Sequence, residues 1–343
     1  MLKKILLIAV CFVSVFALSV KDSLGRVVNV SDNVKRVIAI GPGALRLVVY
    51  MQGGDKVVGI EKKEKSPFYS KKPYMLTHPN LLKLPVIGMG GPNPNPDLEK
   101  IIALKPDVIF AGYINASQAD NIQNKTNIPV VVLSYGKIGT FANDKLFYSL
   151  NLIGKIIHNE KRAEKLKEFL TETDKDLRKR ASKTDKKIYI GAVAFKGIHG
   201  ITSTMPKFPP FELIGINNVI KSNAKSQVFI SKEALYKANP DIIFLDESGF
   251  KIVKKEMSNF KNLKAVKNNE VYGILPYNLY MTNIATAYAD TYYIGKVVFP
   301  DKFKDVNPVK KADELYKFLL GKACYKQMAK FFGGFKKLEM NEK

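Results

Sequence analysis

One thirteen-residue pattern occurs twice in this chain. Leu98-Glu99-Lys100-Ile101-Ile102-Ala103-Leu104-Lys105-Pro106-Asp107-Val108-Ile109-Phe110 is answered by Lys232-Glu233-Ala234-Leu235-Tyr236-Lys237-Ala238-Asn239-Pro240-Asp241-Ile242-Ile243-Phe244. Each copy reads as a short amphipathic helix, a Pro-Asp break and an apolar run rich in β-branched residues. That is the signature of a helix feeding a buried parallel strand, since the residue before proline is pushed out of the helical region. A chain that builds the same α/β unit twice is expected to fold as two similar lobes. Clefts between lobes are where ligands usually sit.

The amino terminus addresses the compartment. Lys3 and Lys4 precede an apolar run from Ile5 to Phe16, followed by small residues around Ala17. This is the pattern of a secretory signal peptide over residues 1–17, too short for a membrane span of ~20 apolar residues. Cys11 lies inside the apolar run without a small residue before it, so a lipid-anchored form is not expected. The only other cysteine is Cys324, which leaves the exported chain without an internal disulfide. The formal charge of the full sequence, +24, is carried mostly by lysine, with arginine at positions 26, 36, 46, 162, 178 and 180 alone. Nucleic-acid readers lean on clustered arginine, so the charge reads instead as a solvated surface that attracts anionic ligands, with no nucleic acid as partner.

Strand-like and helical stretches alternate through the chain. Runs at 36–40, 57–60, 107–110 and 129–133 interleave with helical stretches at 44–52, 96–104 and 116–126, which predicts a parallel sheet in the first lobe, residues 18–140. From 141 to 182 the apolar spacing is helical, and residues 159–181 alone would span roughly 33 Å. This segment is expected to link the lobes. Residues 183–343 repeat the scheme, with strands at 187–195, 241–245 and 270–275 and a closing helical pair at 284–298 and 312–321. The expected fold class is therefore α/β: two Rossmann-like lobes with parallel central sheets, joined by one long helix, and a ligand cleft between them.

With these segments in place, the chain resembles the class III periplasmic binding proteins of ABC transporters, which carry ferric siderophores, haem, cobalamin and related metal chelates. The resemblance rests on Asp22-Ser23-Leu24-Gly25-Arg26, on Lys35-Arg36-Val37-Ile38-Ala39-Ile40-Gly41-Pro42, and on Asp55-Lys56-Val57-Val58-Gly59. It continues through Pro94-Asn95-Pro96-Asp97-Leu98-Glu99, the Lys105-Pro106-Asp107 break and Ile128-Pro129-Val130-Val131, and covers nearly all of the exported chain. It implies a periplasmic, non-enzymatic solute-binding protein that acts as a monomer and delivers a metal chelate of iron or nickel to an inner-membrane ABC permease. No intrinsic cofactor is expected. It also implies that Glu99 and Glu233, one on each copy of the repeat, dock on permease arginines; as first-turn carboxylates they would equally suit the helix dipole. Where many relatives have Thr-Glu after the first strand, this chain has Leu45-Arg46. Arg46 is then either a cation at the cleft or a residue on the first helix facing solvent.

The ends of the strands supply the candidate ligand contacts. Tyr113, Tyr135 and Tyr277 offer amphipathic walls, or else pack in the core; Arg46 and Lys196 offer charge. Of the three histidines, His199 in a glycine-flanked loop is the first candidate metal ligand, His78 the second, and His158 is expected on the long helix in solvent. No CxxC or paired-histidine cluster supplies a full shell for a bare transition metal, so the metal is expected to arrive already chelated. Haem or cobalamin is the alternative cargo, the lack of tryptophan, an aromatic often used against flat corrin or haem surfaces, counting mildly against cobalamin. A secreted hydrolase would need a Gly-x-Ser-x-Gly elbow that the chain lacks. An adhesion protein would have no cleft.

Overall fold

Both copies of the repeat take the same shape. In the first, Asp97 caps helix Leu98–Leu104 by accepting the Lys100 amide, Lys105 ends it at φ 46°, and Pro106 leads into strand Val108–Gly112. In the second, Ser231 caps Lys232–Ala238 through the Ala234 amide, Asn239 ends it at φ 42°, and Pro240 leads into Ile242–Asp246. The aspartate after each proline plays the same part in both copies. Asp107 Oδ2 accepts the amides of Lys35 and Arg36 at 2.8 Å, and Asp241 Oδ2 accepts that of Lys187 at 2.8 Å. Each carboxylate ties the start of a central strand to the start of its neighbour, which favours in-register parallel pairing.

The computed structural model describes residues 17–136, 141–195, 197–224 and 226–340. Its strands are β1 (Ala17–Lys21), β2 (Val27–Ser31), β3 (Val37–Ile40), β4 (Val57–Gly59), β5 (Val108–Gly112), β6 (Val130–Leu133), β7 (Ile188–Gly191), β8 (Ser203–Thr204), β9 (Val228–Phe229), β10 (Ile242–Asp246), β11 (Val271–Ile274) and β12 (Lys336–Lys337). Its helices are α1 (Ala44–Tyr50), α2 (Lys62–Lys65), α3 (Pro73–Thr77), α4 (Leu98–Leu104), α5 (Ala116–Thr126), α6 (Asp144–Ile157), α7 (Glu160–Arg180), α8 (Pro209–Leu213), α9 (Lys232–Ala238), α10 (Phe250–Glu256), α11 (Lys264–Lys267), α12 (Ile284–Val298), α13 (Pro308–Leu320) and α14 (Tyr325–Phe332). The expected leader falls outside the described residues except for Ala17, which opens β1 opposite Ser31.

The first sheet is parallel, in the order β4-β3-β5-β6. The second runs β12-β11-β10-β7, with β7, β10 and β11 parallel and β12 added antiparallel at the edge. Strands β3, β5, β6, β7 and β10 are buried throughout, as a sheet covered by helices on both faces requires. The connecting segment differs from the single helix suggested by its apolar spacing. It breaks at His158, whose φ of 56° closes α6, and only α7 runs on as a 21-residue helix, roughly 31 Å long.

That helix does not stand alone between the lobes. Phe169 stacks on Phe318 of α13 with centroids 3.7 Å apart, and Tyr292 of α12 donates to Asp176 at 2.7 Å. Arg162 donates to the Tyr50 carbonyl in the first lobe and the Phe318 carbonyl in the second, and Arg180 holds Asp176 and Asp305 together.

Three carboxyls are buried beside β10. Asp246 accepts the Ser248 amide and hydroxyl, Glu247 Oε2 accepts the Gly334 amide at 2.6 Å, and Asp290 of α12 accepts the Leu275 amide at 3.1 Å. Burial pushes Asp246 up to about 6, Glu247 up to about 8, and Asp290 well above the usual carboxylate range. An acid with a raised folded-state pKa stabilises the fold while protonated. That contribution declines once the pH exceeds the unfolded value and is gone above the folded one. Thermal melts should therefore give the highest Tm near pH 5 and a falling Tm towards pH 8, and Glu247→Gln should flatten the curve above pH 6. A Tm that does not change from pH 5 to 8 would contradict this account.

Candidate functional site

The two sheets present the carboxyl ends of their strands to each other, the place where open α/β sheets bind ligands. On the first lobe the turn after β3 is made by glycines because side chains do not fit. A Cβ on Gly41 would lie 2.2 Å from the Gly112 carbonyl oxygen, and one on Gly43 would lie 2.5 Å from the Tyr135 ring; both residues have positive φ. This packing brings β3, β5 and the Tyr135 loop to one level.

Arg46 lies on α1 and is fully buried, neither a free cation in the cleft nor a solvent-facing residue. Its Nη1 donates to the Thr282 carbonyl at 2.9 Å and to the Tyr135 hydroxyl at 3.2 Å; its Nη2 donates to the carbonyls of Leu279 and Tyr280, both at 2.9 Å. The loop after β11 thus reaches across from the second lobe and is held by α1. The physical reason is the register of α1: the arginine is the third residue of a helix buried on every side, so its side chain can go only into the interface.

The same loop carries Tyr280, whose hydroxyl accepts the Gly91 amide at 2.8 Å and donates to Glu61 at 2.5 Å. Glu61 also accepts the Gly41 amide, and burial pushes it up to about 7 against those hydrogen bonds. Next to it Lys72 is paired with Glu64, which also accepts the Tyr74 hydroxyl, and burial pulls Lys72 down to about 8. Sequence reading missed this network. A Glu-Lys-Lys-Glu-Lys run carries no signal for burial, and only the packing of α2 and α3 into the interface removes it from water.

Tyr113 is half exposed and left-handed at φ 60°, and its hydroxyl donates to the Met281 sulfur of the second lobe at 2.8 Å. Tyr135 is buried, and its hydroxyl is committed to the Gly43 carbonyl. Tyr277 is buried in the core, packed edge-on against Phe141 and tilted against Phe208. His199 sits at the second-lobe edge with one ring nitrogen 2.9 Å from the Phe195 carbonyl and its ring against Phe229. A cavity of about 290 Å³ opens on the first-lobe side, lined by Pro42, Gly112, Tyr113, Ser134, Tyr135 and Lys145. Lys196 lies outside the described residues.

The other histidines do not join the site. His78 contacts Gly54 just before β4, at the amino-terminal edge of the sheet and away from the cleft, with its Nδ1 near Thr77. His158 is placed on the Asp32 carbonyl. Among the described residues, no group of three or more His, Cys, Asp or Glu side chains is arranged to hold a metal ion. Glu99 and Glu233 occupy equivalent, exposed second positions of α4 and α9, and hydrogen bonds at the helix start hold Glu233 below the usual carboxylate range.

Two α/β lobes that meet at the carboxyl ends of their strands, with the loop after β11 of the second lobe held by α1 of the first, have the architecture of a solute-binding protein. The sequence model of the periplasmic binding protein family matches residues 37–277, and the chain belongs to that family. Over 297 residues it is 25% identical to YvrC, an uncharacterized ABC transporter substrate-binding lipoprotein of Bacillus subtilis, covering 85% of this chain and 88% of that one. The molybdate-binding protein MolA of Haemophilus influenzae is 25% identical over 324 residues, 87% of this chain and 89% of MolA. The structure of MolA bound to molybdate superposes with a TM-score of 0.69 at 20% identity, covering 89% of this chain and 98% of that one. The Fe(3+)-citrate-binding protein YfmC of Bacillus subtilis is 32% identical over 191 residues, 53% of this chain and 58% of YfmC. The chain is thus an ABC transporter substrate-binding protein, of a family whose name and lipoprotein relative point to a place outside the cytoplasm. No helix among the described residues is long and apolar enough to cross a membrane.

Removing one member of a buried ion pair strands the other charge, at a cost of ~3–5 kcal/mol. Lys72→Met should therefore lower unfolding free energy by that order in urea titrations, and adding Glu64→Gln should return most of it. Equal losses in the single and double variants would show that the pair is not coupled.

Proposed function

We propose that this protein captures an anionic metal complex in the periplasm, a ferric or nickel chelate, and delivers it to an inner-membrane ABC permease. One observation carries the reading: a phenol and a thioether, Tyr113 of the first lobe and Met281 of the second, meet in a direct hydrogen bond, so a cargo gripped by both lobes would part this contact and touch each. On the second lobe His199 packs on Phe229, and a chain of formal charge +24 draws anions towards the protein. The cargoes for which YfmC and MolA are named, ferric citrate and molybdate, are both oxygen-coordinated metal species, which supports the class; a metal oxyanion is therefore the second reading. The metal comes with its own ligands, and the protein adds hydrogen bonds and at most a donor such as His199.

Native mass spectrometry against ferric citrate, a ferric catecholate, nickel-histidine, molybdate, haem and cobalamin should give a one-to-one complex with one of the first four. Binding of haem or cobalamin alone, or of none, would overturn the cargo class. In the docking half of the reading, Glu99 and Glu233 contact the permease. Glu99→Lys with Glu233→Lys should leave cargo affinity unchanged and abolish uptake, so weakened cargo binding would remove the docking assignment.

A further inference from the structure

We propose that Arg46 is a positioning residue: from inside the first lobe it holds the second-lobe loop 279–282 in a strained shape and so sets where the lobes meet at the cleft mouth. Two of its nitrogens reach three carbonyls within four consecutive residues, those of Leu279, Tyr280 and Thr282. Such convergence of carbonyls requires a backbone that turns back on itself. Tyr280 and Met281 supply the turn at φ 53° and 76°, both in the left-handed region that is strained for a residue other than glycine. Strain of this kind persists only where the surroundings over-determine it. Arg46 on one side and the Tyr280 hydroxyl, lodged between Gly91 and Glu61, on the other provide that constraint.

The charge of Arg46 is the second argument. Its side chain is fully buried, stacks at 5.0 Å over Tyr74 and makes its hydrogen bonds to carbonyls and a phenol, while Nε has no partner among the described residues. A buried cation compensated only by dipoles is a costly way to fill space, and an apolar side chain would pack there at lower cost. What an apolar side chain cannot do is gather three carbonyls. The residue immediately past Tyr280 is Met281, which meets Tyr113, so the grip of Arg46 on the loop is transmitted within one residue to the contact across the cleft. That this contact touches cargo rests on the function proposed above; the coupling of Arg46 to the loop does not.

The test uses the cargo-free protein. Arg46→Met keeps the bulk and removes the donors. Hydrogen exchange at the Asn283 amide, which closes the loop by donating to the Tyr277 carbonyl at 2.7 Å, should accelerate about tenfold, the factor that releasing ~1.4 kcal/mol of constraint gives. Spin labels at Met89→Cys and Ile198→Cys, both exposed, should show a broader interlobe distance distribution, while β10 amides keep their protection. Glycine adopts the φ of residue 281 without strain, so M281G in the R46M background should slow loop exchange again, a rescue that a merely structural role for Arg46 would not show. Should R46M fail to fold, R46K, which keeps the charge and reaches fewer carbonyls, should give an intermediate shift in both readouts. Unchanged loop exchange, or acceleration spread evenly over both lobes, would overturn the proposal. The cargo panel can fail while these readouts hold, and the reverse, so the two readings are tested separately.

Discussion

Much of this architecture depends on a carboxylate placed one residue after a proline. Proline ends the helix, and the following aspartate hydrogen-bonds the amides that begin the neighbouring strand, Lys35 and Arg36 in one lobe and Lys187 in the other. Parallel strands joined by helices have no hairpin to set their register, so a fixed point at the start of each central pair is valuable. Strands of similar length then finish level. Two level sets of strand ends, facing one another, make a cleft.

What faces that cleft is bound together more firmly than a single crossing helix implies. Helix α7 packs against both α12 and α13, Arg162 spans carbonyls of both lobes, and the loop after β11 is inserted between Arg46, Gly91 and Glu61. Large hinge opening would have to break these contacts together, and some of them are buried charged groups whose exposure to an unpartnered state is expensive. The structure therefore favours small movements of the lobes about this interface over a wide hinge opening.

The repeat, the two parallel sheets and most helices were legible because buried parallel strands and amphipathic helices leave periodic marks in the chain. Helix α5 at 116–126 and α12 at 284–298 follow their apolar spacing to the residue. Residues whose role depends on partners far along the chain were not legible. Arg46 was expected at the cleft or in solvent and is buried on carbonyls more than two hundred residues away; His78 was expected among the ligands and lies at the far edge of its sheet. Glu61, Glu64 and Lys72 gave no sign of burial, and the edge strand β12, two lysines long, has no apolar pattern by which it would be seen.

The chain by itself determined that two similar α/β units form, that each carries an acidic residue at the same step of its repeat, and that the connection between them is helical. These are local properties, written in spacing, proline and charge within about a dozen residues. Only the tertiary structure decided which polar side chains are taken out of water, because burial is a property of the assembled interface and not of any segment. It placed Arg46, Tyr280 and Glu61 inside, where unsatisfied donors and acceptors are costly and partners must be found. It brought Tyr113 of one lobe and Met281 of the other into a hydrogen bond that no local pattern encodes.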